Sequence, residues 1–273
     1  MSTNVQDNHD WKVTTLTSEA ETFQVLAELR GQRWLCRGQS KCYGNLLPTI
    51  DRDSLQGLPR IEKLTLERQS IDLFRSTVQY FADPLEQRAK SNDFIALMVL
   101  RHYNVPTRLL DWSLSPFVAA YFSVYSDDTE HGEIWSFDEG LYEQEGRKQW
   151  TKYPETTIDG SGDPSKFDYN LKTAFGVQEP SDWFVCQFYE GFPRQVAQDG
   201  AYSITARFDR DHAEAIAHLL KKSDHYHRYV ISANLKPALR RTLREKHGIW
   251  RGSLFPDVAG AAETACTVFK KGV

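Results

Sequence analysis

Arg37-Gly38 follows a short apolar run, Trp34-Leu35-Cys36, and joins a planar five-donor guanidinium to a residue that lets a ligand or another backbone come close. Such a fork suits phosphate or carboxylate; its structural alternative is a salt bridge between two segments. The densest set of polar residues is RHYNVPTRLLDWSLSP, Arg101 to Pro116. On a strand, Arg108 and Asp111 would face opposite sides, so one of them is expected to be buried and paired. Ser113 and Ser115 stand just before a helix start, where backbone N–H groups favour anions and where Ser is also a preferred cap. A third set, Phe192 to Tyr202, puts Arg194 and Gln198 one helical turn apart. In the last, Ser253 to Asp257, the carboxylate after Pro256 reads as a turn or helix cap before it reads as an acid or base.

Several elements must position these residues. Ser18 and Glu21, a Phe23, Leu26, Leu29 stripe and Gly31 predict a helix over 18–30. Trp34 to Ser40 reads as a strand, and Leu46 to Arg52 as extended around Pro48. Ile61, Leu64, Ile71, Phe74 and Val78 predict an amphipathic helix over 60–80, and Asn92 caps a second one running toward His102. Val105 to Ser113 reads as a strand, Ser115 to Ser123 as a buried helix opened by Pro116, and Glu133 to Phe137 as a strand. Glu139 to Pro180, rich in Gly, Pro, Asp and Lys, reads as an irregular insertion or lid. Further on come a strand over 201–208, a helix from an Asp209 cap to Lys222, a strand over 228–235, a helix over 237–246 stopped by Gly248, and a closing helix of small residues. His225 and His227 read as surface loop. Strands and helices without regular βαβ alternation indicate an α+β fold.

A chain of 273 residues admits one large domain or two small ones. With 33 Lys+Arg against 37 Asp+Glu, the net charge of -4 argues against a surface coated for nucleic acid, though a local basic cleft is compatible with it. No apolar run reaches the roughly 18 residues of a membrane span, and the polar start lacks a signal-peptide pattern, so a cytoplasmic protein is expected. Four cysteines without CxxC spacing suggest neither a disulfide framework nor a zinc site. The nucleotide and hydrolase patterns GxGxxG, GxxxxGK[ST] and GxSxG are missing. Cys36 beside Arg37 could be an activated thiolate, but no signature names a partner histidine.

In this order the islands resemble the FRG domain family, named for a Phe-Arg-Gly motif that reads Cys36-Arg37-Gly38 here. The resemblance continues through LLPTIDR (46–52), RHYNVPTRLLDWSLSPFVAAYFS (101–123), PRQVAQDGAYSI (193–204) and GIWRGSLFPDVAG (248–260). It implies a single domain over 34–260 with 139–180 as the insertion, an N-terminal segment with a helix (1–33), and a C-terminal helix and tail (261–273). An Arg-Gly closing one strand and a Ser-x-Ser entering a small apolar helix also resemble the first two motifs of the Arg-Ser-Glu class of ADP-ribosyltransferases.

That second resemblance implies a split mixed sheet with flanking helices, NAD as substrate, no metal, and transfer of ADP-ribose to a macromolecular target, as in a toxin or phage-defence effector. Arg37 and Gly38 would hold NAD, and Ser113 and Ser115 would correspond to the Ser-x-Ser. Gln39, His102, Tyr103, Thr107, Arg108, Arg194 and Gln198 complete the expected nucleotide contacts. The third motif departs: Gln198-Asp199-Gly200 stands where a catalytic Glu would open a late strand, which leaves Asp199, Asp111 or Asp257 as the carboxylate. Two alternatives stay open, a non-catalytic module recognising a phosphorylated ligand through Arg37, Arg108 and Arg194, and a metal-dependent nuclease using Asp111, Asp257 and His102.

Overall fold

In the computed structural model, residues 11–78, 80, 87, 89, 90, 92–152, 184–188 and 192–266 are described. Seven strands form one mixed sheet in the order β1 (Lys12–Leu16), β7 (Tyr226–Ile231), β4 (Gly132–Asp138), β2 (Trp34–Gln39), β3 (Leu110–Ser113), β6 (Gly200–Thr205) and β5 (Phe184–Phe188). β1 and β7 run parallel, and the other neighbours are antiparallel. The join at the centre is unlike the rest. β2 pairs with β4 over six residues, yet with β3 at one pair, Cys36 and Ser113. The sheet is therefore continuous rather than divided, but its two parts hang together there by a single registered pair.

Helices cover both faces. On one side α1 (Glu19–Gly31), α4 (Pro116–Val124) and α8 (Lys236–His247) close over Leu16, Trp34, Cys36, Ile134 and Ile231. On the other, α5 (Glu139–Lys152) and α7 (His212–Leu220) cover Leu35, Trp112, Trp135, Phe137 and Phe184. A third cluster sits where α2 (Arg60–Val78) and α3 (Asp93–His102) pack near Leu109, Tyr202 and Ile204. Apolar burial of this kind contributes about 1.5–3 kcal/mol per large side chain before conformational entropy is counted. The short α6 (Pro193–Ala197), α9 (Arg251–Leu254) and α10 (Val258–Cys266) complete the described chain.

Local signals explain most boundaries. Ser18 Oγ accepts from Glu21 N–H to start α1, but Glu21 reaches back to Thr17 N–H, so the box is shifted by one residue. Asn92 caps α3 through Ile95 N–H, and every residue of α3 from Phe94 to Leu100 is buried. Ser115 and Pro116 open α4 as expected. Gly248 ends α8 at φ +68°.

Several expectations need correction, among them the extended runs over 46–52 and 228–235, which give way to 3-10 turns at Thr49–Asp51 and Ala233–Leu235. Residues 139–152 are helical and not irregular, because Asp138 Oδ1 accepts from Leu141 N–H at the helix start and Leu141 is buried; residues 153–180 lie outside the described residues. The strand expected over 105–113 begins only at Leu110, since Thr107 and Arg108 are tied to Thr49 and Glu67 instead of a neighbouring strand. Asp211, not Asp209, caps α7, through Ala213 N–H, while Asp209 has a left-handed backbone. His227 lies in β7 against Trp34, and His225 Nδ1 contacts Asp138 at 2.7 Å, so neither is loop surface. Among the described residues, no helix is long and apolar enough to cross a membrane.

Candidate active site

Side chains alternate along a strand, so Arg37 belongs to the face of Leu35, and Asp111 and Ser113 to the face of Cys36. The three nevertheless line one cavity of about 180 Å³. The single-pair join of β2 and β3 makes this geometry accessible. Arg37 Nη1 donates to the Asp111 carbonyl at 2.6 Å, a bond across the gap where ladder bonds would otherwise run. Arg37 Nε is buried and has no hydrogen-bond partner among the described residues.

Asp111 is the hub of the cavity's charge. Arg101, at the end of α3, donates to Asp111 Oδ2 through Nε (3.0 Å) and Nη2 (2.6 Å), and Arg37 Nη1 lies 3.7 Å from the same oxygen. Arg194 completes the lining and lays its guanidinium on the Phe255 ring at 4.3 Å. Burial acts to raise the Asp111 pKa, but Arg101, Arg37 and Arg194 outweigh it and hold the carboxylate near about 2. Burial, partly offset by Asp111, pushes Arg37 down to about 9, which leaves it cationic at neutral pH. Asp111 raises Arg101 against the cost of burial, and burial lowers Arg194. Three guanidiniums thus face one carboxylate, an excess of positive charge in a cleft of a net-negative chain.

A depressed carboxylate pKa contributes stability that is present above its unfolded value of 3.8 and is lost as pH falls toward about 2. The unfolding midpoint of the wild type is expected to drop over that window, and Asp111→Asn to flatten the drop. Chemical denaturation at pH 5, 4, 3 and 2 checks this; parallel curves for the two proteins would contradict it.

Ser113 is held firmly. Its hydroxyl donates to the Gln198 carbonyl at 2.6 Å and accepts from Ser115 N–H at 2.9 Å. Ser115 Oγ caps α4 through Val118 N–H, the structural role weighed for it. Gln198 Nε2 donates to the Leu254 carbonyl, linking the cavity rim to α9. Gly38 has a backbone reason: a Cβ there would overlap the Ala119 carbonyl oxygen and lie 2.7 Å from Ser123 N, so the glycine lets β2 press against α4.

Other candidates lie elsewhere. Arg108 is buried, with Nε and Nη2 on the two oxygens of Glu67 (2.9 and 2.5 Å) and its guanidinium 4.0 Å from the Phe208 ring. Asp111 is the exposed member of the Arg108/Asp111 pair, its side chain 41% accessible. Thr107 is buried, bonded to Thr49. Gln39 Nε2 donates to Glu133, which also holds Arg228, in a separate buried cluster. Tyr103 is exposed and edge-on to His102. Asp199 is exposed at φ +45°, and it is its carbonyl that reaches Leu114 N–H. Asp257 Oδ1 accepts from Gly260 N–H, a turn at the start of α10. Cys36 is buried with its thiol pushed far up by desolvation, which argues against an activated thiolate there.

Residues 32–132 match the family model of the FRG domain. That segment is similar to the FRG domain. The matched segment includes Arg37, Gly38, Arg101, Asp111 and Ser113, while Arg194 and Gln198 join the cavity from beyond it. No curated protein and no solved structure matches the chain.

Sequence reasoning assigned no role to Arg101, Trp112 and Phe122 of the cavity. Arg101 had a usable signal, a lone cation closing the all-apolar run Phe94 to Leu100. Trp112 and Phe122 had none, since aromatic residues in a strand or helix read first as core.

Proposed function

We propose that this protein binds NAD at the junction of β2 and β3 and transfers ADP-ribose from it to a macromolecular acceptor. The observation that carries the reading is Arg37 in the gap between the strands, with a buried donor still unpaired, facing Asp111 and Ser113 across one cavity. Arg37, Arg101 and Arg194 supply planar forks for phosphate oxygens. The volume is below the usual 300–1,000 Å³ range for pockets that enclose a drug-sized ligand, so the cavity fits one ribose-phosphate end of a dinucleotide and leaves the rest in the open cleft.

In this reading Asp111 is the working carboxylate in place of the missing Glu. It is kept ionised and oriented by Arg101, which suits electrostatic stabilisation of an oxocarbenium-like ribosyl centre and does not suit proton transfer. Val118, Ala119 and Phe122 give the cavity an apolar wall for a flat ring. The chemistry then consists mainly of holding the ribose and the leaving group in place.

Incubation with NAD is expected to release nicotinamide, with saturable NAD binding by calorimetry. Binding without release would assign the cavity to a non-catalytic module, and absence of both would remove NAD as the ligand. The nuclease reading lacks support from geometry: among the described residues no cluster of His, Cys, Asp or Glu is placed to hold a metal ion, and Asp257 lies apart from the lining that Asp111 and His102 share.

A further inference from the structure

A second, smaller lobe of about 40 Å³ backs onto the cavity and shares Arg101, Asp111, Trp112, Arg194 and Gln198 with it. The partition between the two is therefore the Asp111 carboxylate and the guanidiniums on it. The far side of the lobe is made by His102, Asn104, Gln195 and Tyr202, with Gly200 and Ala201 beside them. Tyr202 is buried opposite Asp111 in the β3–β6 register, and the His102 ring stacks on Phe192 at 4.8 Å.

We propose that the small lobe is the acceptor subsite and that it takes a carboxylate side chain of a protein; the identity of the donor half rests on the NAD reading above. Charge and size select the group. Arg101 and Arg194 outnumber the Asp111 carboxylate in the lobe, so an arginine or lysine acceptor would enter against net like charge, whereas a carboxylate meets the Arg194 fork and Tyr202. At about 10–15 Å³ per water-sized group, the lobe holds roughly three heavy atoms, the size of a carboxylate and short of a phosphate.

The reaction balances without a base. A carboxylate oxygen bonds to C1′ of the nicotinamide ribose as the C1′–N bond breaks. The bonding pair leaves with nicotinamide, and the positive charge of the pyridinium is cancelled by the negative charge of the acceptor. No proton moves. That matches a centre whose carboxylate, Asp111, is tied up by arginines. A hydroxyl acceptor would instead need a base, and His102 is the side chain of the lobe that could serve.

The test uses the full chain in two arms. In the first, without NAD, N-acetylglutamate amide is titrated against tryptophan fluorescence and NMR shifts, with N-acetylglutamine amide as control; saturable binding of the carboxylate alone is expected. In the second, labelled NAD is offered with peptides bearing only Glu, Ser, Lys or Arg as acceptors. Label is expected on the Glu peptide and to be released by neutral hydroxylamine, which cleaves such esters. Tyr202→Phe is expected to lower the ratio of transfer to nicotinamide release about tenfold, the worth of one hydrogen bond to a charged group. Label on Ser, Lys or Arg, or nicotinamide release with no carboxylate binding, overturns the subsite while the NAD reading stands. Carboxylate binding with no nicotinamide release sustains the subsite while the NAD reading falls.

Discussion

Arg37→Ala is expected to lower nicotinamide release from NAD by about 10²–10³-fold, the usual cost of deleting a preorganised donor at a developing charge. The side chain does two things at once. It bridges β2 and β3 through the Asp111 carbonyl, and its buried Nε has no acceptor among the described residues. Arg37→Lys retains the charge but not the fork, because an ammonium cannot reach the Asp111 carbonyl and offer a second, differently directed donor from one plane. It is expected to recover less than a tenth of the activity. Steady-state kinetics on both variants, with circular dichroism and unfolding midpoints as a check on folding, measures this. Wild-type rates in the alanine variant would remove Arg37 from the site. A loss confined to stability would make it a strand tie.

The largest effect on stability is expected away from the cavity, at Arg108. Replacing it by Met leaves Glu67 charged and buried, and breaking such a pair costs about 3–5 kcal/mol. The guanidinium also packs on Phe208 and reaches the Ala206 carbonyl, so apolar contacts and a backbone partner are lost with it. Arg108→Met with Glu67→Leu is expected to recover most of the loss, since two apolar side chains of similar volume can replace a buried pair at little cost. Urea unfolding of both single variants and the double variant gives the coupling. Equal NAD binding by the stable double variant and the wild type would assign Arg108 to the scaffold. A double variant as stable as the wild type but unable to bind would return it to the ligand.

Much of the frame was legible from local signals. Ser18, Asn92, Ser115 with Pro116, and Gly248 mark helix ends by capping chemistry that acts over three or four residues, and these ends stand where they were read. The 139–152 helix escaped because its polar residues hide a short buried contact, Leu141, that depends on the sheet face beneath it. The shift of the cap from Asp209 to Asp211 depends on Leu46, whose N–H takes the same carboxylate oxygen as Ala213.

For the site, residue types alone determined that a guanidinium, a Ser-x-Ser and a nearby carboxylate were available, and that one member of Arg108 and Asp111 would be buried. They could not determine which. That depended on Glu67, 41 residues away on α2, which neutralises Arg108 in the interior and leaves Asp111 to the cleft. Nor could strand alternation, which puts Arg37 and Ser113 on opposite faces, show that they line one cavity. Tertiary structure brings them together by pairing β2 and β3 at one residue only. Chain spacing sets which side of a strand each residue takes, whereas ladder pairing, burial and the balance of charge across distant segments decide which side chains share a cavity.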